Sequence, residues 1–160
     1  MTVTEPADGD PVVVTVDPAT TAVVRGTVST DELRDFFDQS FQVLGVALTN
    51  QQVSATGAAF SRYQGEYDEE PIDLEVGFPT DRPIDDDGSA EAGELPGGRV
   101  ARLVHSGSFD GLSDAWQRLG EWIGATGQAP SNDRWEVYLT EPSPEMDPSE
   151  LRTELNWLLN

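Results

Sequence analysis

The order of segments constrains this chain more than any motif in it. Leu33, Phe36, Phe37, Phe41, Leu44 and Leu48 in 29-STDELRDFFDQSFQVLGVAL-48 fall at helical spacing and make one apolar stripe. Leu112, Ala115, Leu119, Trp122 and Ile123 repeat that pattern at about 110–125. Ser29 or Thr30 can cap the first helix, with Asp31 and Glu32 at the positive end of its dipole. After an opening β-branched run, 12-VVVTV-16, and a DPATT turn, 22-AVVRGTV-28 leads into the first helix; 57-GAAFSRY-63 and 72-IDLEVGF-78 follow it. Around the second helix stand 99-RVARLVH-105, 134-RWEVYLT-140 and 151-LRTELNWLL-159. Strand, helix, strand, strand thus occurs twice.

A single helix covers one face of a small antiparallel sheet. The expected class is therefore α+β: duplicated βαββ repeats with pseudo-two-fold symmetry, each antiparallel sheet carrying a packed helix. The uncovered faces must meet something, and a ligand cleft between the repeats is expected there. Residues 1–10 read as a flexible tail and 11–160 as a single domain. Within it, repeat one is 11–79, an acidic Gly/Pro-rich linker is 80–97, and repeat two is 98–160.

Charge narrows the partners. Nine basic residues, all arginine, face 30 acidic ones, for a formal charge of −21. Such a surface repels phosphate backbones and anionic membranes, which excludes direct nucleic-acid binding and favours cationic or neutral partners. There is no cysteine, so disulfides, thiolate metal sites and cysteine nucleophiles are out. No P-loop, dinucleotide fingerprint or other cofactor motif is present, and no cofactor is expected. The N-terminus MTVTEPADGD lacks a basic n-region and an apolar h-region, and no apolar run is long enough to span a membrane; a soluble cytoplasmic protein is the expectation.

Candidate chemistry gathers on 133-DRWEVYLTEP-142. Trp135, Val137 and Leu139 alternate with Glu136 and Tyr138, so one face is apolar core and the other carries a carboxylate beside a phenol. By spacing alone a solvent-facing glutamate is the ordinary reading; the functional one turns Glu136 toward the cleft, as a charge partner for a cation or as a general base. Tyr63 answers this strand in the first repeat, and Trp157 on the last strand is a further wall. His105, the only histidine, ends a strand before a glycine turn and reads as structural. Asp85, Asp87, Gly88 and Glu94 fit part of a calcium-loop spacing, but Pro83 stands where the first ligand belongs, so no metal site is expected. Asp73 and Glu75 alternate with Leu74 and Val76 and read as a wet face, with Gly77 marking a bulge or close approach.

The strings 97-GGRVARLVHSGSFDGLSDAWQRLGEWIGATG-127, 134-RWEVYLTEP-142 and 150-ELRTELNWL-158 resemble the GyrI-like small-molecule-binding domain, the effector-binding module of AraC-type and MerR-type regulators. In the first half, 31-DELRDFFDQSFQVL-44 and 72-IDLEVGFP-79 resemble the same family, so the likeness runs from about residue 11 to the end. It implies a ligand cleft between the repeats, lipophilic and often cationic aromatic ligands, and a pocket glutamate that matches Glu136, with Tyr138 two residues on. Phe109 stands where the family often has tyrosine and is counted among the ligand-binding positions. No helix-turn-helix is recognisable, so the regulator activity of longer relatives is not carried over.

Three function classes follow. First comes a stand-alone binding protein for lipophilic, cationic or aromatic compounds, held by Glu136, Tyr138, Tyr63, Trp157 and Phe109, without turnover. Second is a hydrolase of electrophilic small molecules, with Glu136 as general base and Tyr138 or Tyr63 placing or polarising the substrate. Third is an acidic factor that engages a protein partner, as gyrase modulators do.

Overall fold

A computed structural model of the chain describes residues 11–64, 72–107, 111–139 and 151–159. Its elements in chain order are β1 (Val12–Val16), β2 (Ala19–Val28), a 3-10 turn (Thr30–Glu32), α1 (Leu33–Gln51), β3 (Phe60–Gln64), β4 (Ile72–Pro79), β5 (Ala90–Leu95), β6 (Gly98–Ser106), α2 (Leu112–Ala125), β7 (Pro130–Tyr138) and β8 (Arg152–Leu159). The fold is α+β, and its paired strands are antiparallel. Among the described residues no helix is long and apolar enough to cross a membrane.

The chain divides into two compact units, one of Asp17–Gly97 and one of Gly98–Asn160 with the segment up to Val16. In the first, the strand order is β3-β4-β2-β5, with α1 lying across β2, β4 and β5. The second runs β7-β8-β6-β1, with α2 across β6 and β7. Each unit therefore has the same plan. A βαββ run supplies three strands, and a fourth strand adds to the edge of the one that precedes the helix.

That fourth strand is where the chain departs from the sequence reading. Val12–Val16, assigned to the first repeat, pairs with β6 from Val12↔Arg102 to Val16↔Gly98 and so completes the second unit. The supposed linker 80–97 is docked structure. Ile84 is buried in the α1-side core, and β5 pairs with β2 from Ala19↔Leu95 to Val24↔Ala90. Arg82 donates to the carbonyls of Gln51 and Gln52 (3.0 and 2.7 Å), placing a cation at the negative end of α1. The Gln51 amide exchanges two hydrogen bonds with the backbone of Asp85. Composition marked this segment as loop because its outward positions are acidic; buried Ile84, Ala90 and Leu95 hold it down. Asp87 and Ala90 exchange backbone hydrogen bonds across a tight turn, Glu94 lies in β5, and the Asp85 backbone is bound to Gln51, so the three acids belong to different local structures.

The Asp73–Glu75 face is not uniformly wet either. Asp73 is exposed, but Glu75 is 5% exposed. Its carboxylate takes Arg25 Nε at 2.9 Å and Arg62 Nη1 at 3.2 Å. Arg25 is largely open to solvent and Arg62 is not, so Arg62 is the partner that would suffer from losing the anion. Glu75→Ala is expected to cost about 2–3 kcal/mol by denaturant unfolding, since it takes the carboxylate from a mostly buried guanidinium, which keeps its bond to the Glu94 carbonyl. A loss below about 0.5 kcal/mol, the surface-pair value, would mean that the pair is solvated.

At the start of α1, the Ser29 backbone N–H and hydroxyl both donate to Glu32 Oε1 (3.1 and 2.9 Å). These bonds, the backbone one first, hold the Glu32 carboxyl below its usual 4.5. A folded-state value below the unfolded one means stability that is present above that usual value and lost as pH falls through the folded value. Glu32→Gln should therefore unfold at lower denaturant than wild type near neutrality, with the gap closing in acid. A gap that stays constant with pH would show that the carboxylate has no part in it.

Candidate functional site

Strand alternation in β7 puts Arg134, Glu136 and Tyr138 on one face and Asp133, Trp135 and Val137 on the other. Register carries the first set across the sheet. Arg134 lies beside Trp157, Glu136 beside Leu155 and Tyr138 beside Thr153, while Ala101, Leu103 and His105 continue those rows on β6. Trp116 of α2 reaches this face, because its indole meets Glu136. Glu136 thus lies on the helix-covered side of its sheet, not on the uncovered side where the sequence reading put the cleft. It is not wet: Glu136 is 3% exposed and Trp135, on the opposite face, is 4% exposed. Leu139, expected in the apolar core, is 46% exposed and lies past the end of β7.

Two donors meet the carboxylate, and a second tryptophan and a cation adjoin one of them. Trp116 Nε1 donates to Glu136 Oε2, and the Tyr138 hydroxyl donates to Oε1, each at 3.3 Å. Both oxygens are therefore oriented, by bonds slightly longer than the usual range for such donors. Trp116 and Trp157 meet edge to face, with centroids 5.7 Å apart and planes at 79°. Trp157 is fixed by its own donation to the Ser131 carbonyl at 2.7 Å. The helix comes close enough for this because Gly120 carries no side chain; a Cβ there would stand 3.3 Å from the Trp157 ring. The guanidinium carbon of Arg134 is 5.8 Å from the Trp116 centroid and 5.6 Å from that of Trp157, within cation–π range of both.

Of the residues singled out in the sequence, Glu136 and Tyr138 are in contact and Trp157 shares their sheet face. Tyr63 belongs to the other unit, where it pairs with Leu74 and packs against the α1-side core. Phe109 lies outside the described residues. His105 rests against Gly111, at the start of α2. Two members of the cluster were not picked out as site residues. Trp116, which is not in the apolar stripe read for the second helix, is core at 2% exposure; its indole N–H is what ties it to the carboxylate. Arg134 stands two residues before Glu136, and that period-2 spacing was the available signal.

A depression of about 440 Å³ lies elsewhere, lined by Arg25, Gly26, Thr27, Asp73, Leu74 and Glu75. Its charged groups already have partners, Arg25 with Glu75 and Asp73 with the Thr27 hydroxyl, and it opens to solvent. The Glu136 cluster is chemically the stronger candidate, because it combines a buried carboxylate with aromatic faces.

Known structures share this fold. The C-terminal domain of EcmrR superposes with a TM-score of 0.83 at 18% identity, covering 94% of this chain and 97% of that one. In an EcmrR–DNA complex the matching region is 57% of the longer EcmrR chain. SAV2435, solved bound to tetraphenylphosphonium, matches with a TM-score of 0.68 at 10% identity, covering 94% of both chains. A hydrolase from Listeria innocua matches with a TM-score of 0.67 at 11% identity, covering 97% of this chain and 94% of its own. No curated protein sequence matches the chain. The family model of the GyrI-like small molecule binding domain matches residues 9–159. With nearly its whole length accounted for by that model, the chain belongs to the GyrI-like small-molecule-binding domain family.

Proposed function

We propose that this protein binds lipophilic aromatic small molecules at the Glu136 cluster, with Glu136 as the partner of a ligand's positive charge. One observation carries the reading: a carboxylate 3% exposed, held by an indole N–H and a phenol O–H beside two tryptophan rings. In a desolvated setting a carboxylate attracts a cation far more strongly than in water, and aromatic faces add roughly 0.5–2 kcal/mol each. The fold shared with a protein that binds tetraphenylphosphonium supports the same ligand class.

The test is a titration of tetraphenylphosphonium followed by tryptophan emission. Trp116 and Trp157, two of the four tryptophans, belong to the cluster, so saturable quenching at micromolar concentration is expected. No saturable change, with no binding by calorimetry, would sink the reading. Hydrolysis ranks second, favoured by the Tyr138 hydroxyl beside Glu136 and by the fold shared with a hydrolase. Turnover of an electrophilic substrate that is lost in Glu136→Gln would reverse the order.

A further inference from the structure

A buried arginine already fills the place that a ligand's charge would want. Arg134 is 3% exposed, and its guanidinium lies within 6 Å of both indole centroids. The two rings are nearly perpendicular, so they form a corner, and the guanidinium is about equally distant from each wall. Trp116, one of those walls, also donates to Glu136. Cation, aromatic corner and carboxylate are therefore one cluster built from β7, β8 and α2.

We infer that Arg134 is the resident cation of this corner and sets the charge selectivity of the site: a permanently cationic ligand binds only by displacing it, whereas a neutral aromatic ligand does not. The inference rests on the reading of the Glu136 cluster as the binding site. Two positive charges cannot share a desolvated corner without strong repulsion, and an incoming cation cannot use aromatic faces that the guanidinium still covers. A neutral ligand meets no such competition. Its affinity depends on shape and apolar burial, which Arg134 affects only through volume.

The experiment measures two probes of similar shape, the cation tetraphenylphosphonium and neutral triphenylphosphine oxide, against wild type, Arg134→Met, Glu136→Gln and the double variant. Removing Arg134 should tighten tetraphenylphosphonium by about tenfold or more, the scale of two recovered cation–π faces, relative to the oxide. A merely structural arginine would shift both probes together or neither. Arg134→Met leaves a buried carboxylate and is the variant most at risk of not folding. The comparison of Glu136→Gln with the double variant then gives the same answer without a lone buried carboxylate. An unchanged or lower cation-to-neutral ratio in the absence of Arg134 would overturn this inference while leaving the binding site standing. Failure of both probes to bind any of the four proteins would overturn the site itself, and this inference with it. A rise in the ratio without any effect of Glu136→Gln would retain Arg134 as the selectivity residue and remove Glu136 as the charge partner.

Discussion

Glu136→Gln is expected to weaken tetraphenylphosphonium binding by at least about tenfold, or roughly 1.4 kcal/mol. The substitution keeps size and shape but removes the charge, so the loss reads the electrostatic part of the site. Glutamine also changes the local hydrogen bonding. The carboxylate accepts from Trp116 Nε1 on one oxygen and from the Tyr138 hydroxyl on the other, while an amide offers one acceptor and one donor. The Tyr138 hydroxyl can rotate to accept from that amide, whereas the indole N–H cannot, so the expected side-chain arrangement keeps the Gln oxygen toward Trp116. Any residual cost falls on stability, at about 1 kcal/mol, and is measured separately by denaturation. A variant that folds like wild type and binds the cation with unchanged affinity would remove Glu136 from the site.

The second large effect is on folding. Gly77 sits on β4 opposite Val23 of β2, and a Cβ at Gly77 would fall 2.0 Å from the Ala22 carbonyl oxygen and 2.9 Å from a Val23 methyl. The first of these is backbone and cannot rotate away, so Gly77→Ala must shift one strand against the other. Both strands are buried at four consecutive positions, Thr21–Val24 and Leu74–Gly77, which leaves little room for the shift. A loss of about 3 kcal/mol is expected, near the upper end for overpacking, and about 6–12 °C in Tm for a chain of this size. Gly45, exposed on α1 with nothing near its Cβ position, is the control: Gly45→Ala should stabilise by up to about 1 kcal/mol. Equal effects at the two positions would mean that backbone entropy, not contact, governs Gly77.

The sequence reading left Gly77 as a bulge or a close approach, because a glycine inside an alternating strand has few other uses, and the register with Val23 makes it a close approach. It misplaced Glu75 for a related reason. Alternation assigns a face but not the cover over that face, and Glu75 shares its face with Arg25 and Arg62, which come from strands 50 and 13 residues away. The same blindness applies to Glu136. Period two correctly separated it from Trp135, yet treated one face as core and the other as cleft, whereas both residues are buried. The segment 80–97 was misread because acidic outward positions outnumber the few apolar ones that dock it, and a six-residue edge strand with alternating exposure gives a weak signal.

By itself the sequence determined the elements and their class. Two helical stripes and β-branched alternating runs admit few packings other than helix on antiparallel sheet, since each apolar face must be buried. It also determined the family, through the order and spacing of those elements, and the pairing of Glu136 with Tyr138, which are two residues apart on one strand and must share a face. Only the tertiary structure decided which sheet the first strand joins, that an acidic stretch becomes an edge strand, and which side chains complete the Glu136 cluster. Those outcomes depend on contacts between residues far apart in the chain, such as Trp116 with Glu136 and Val12 with Arg102. Local periodicity fixes the direction of a side chain; packing fixes what it meets.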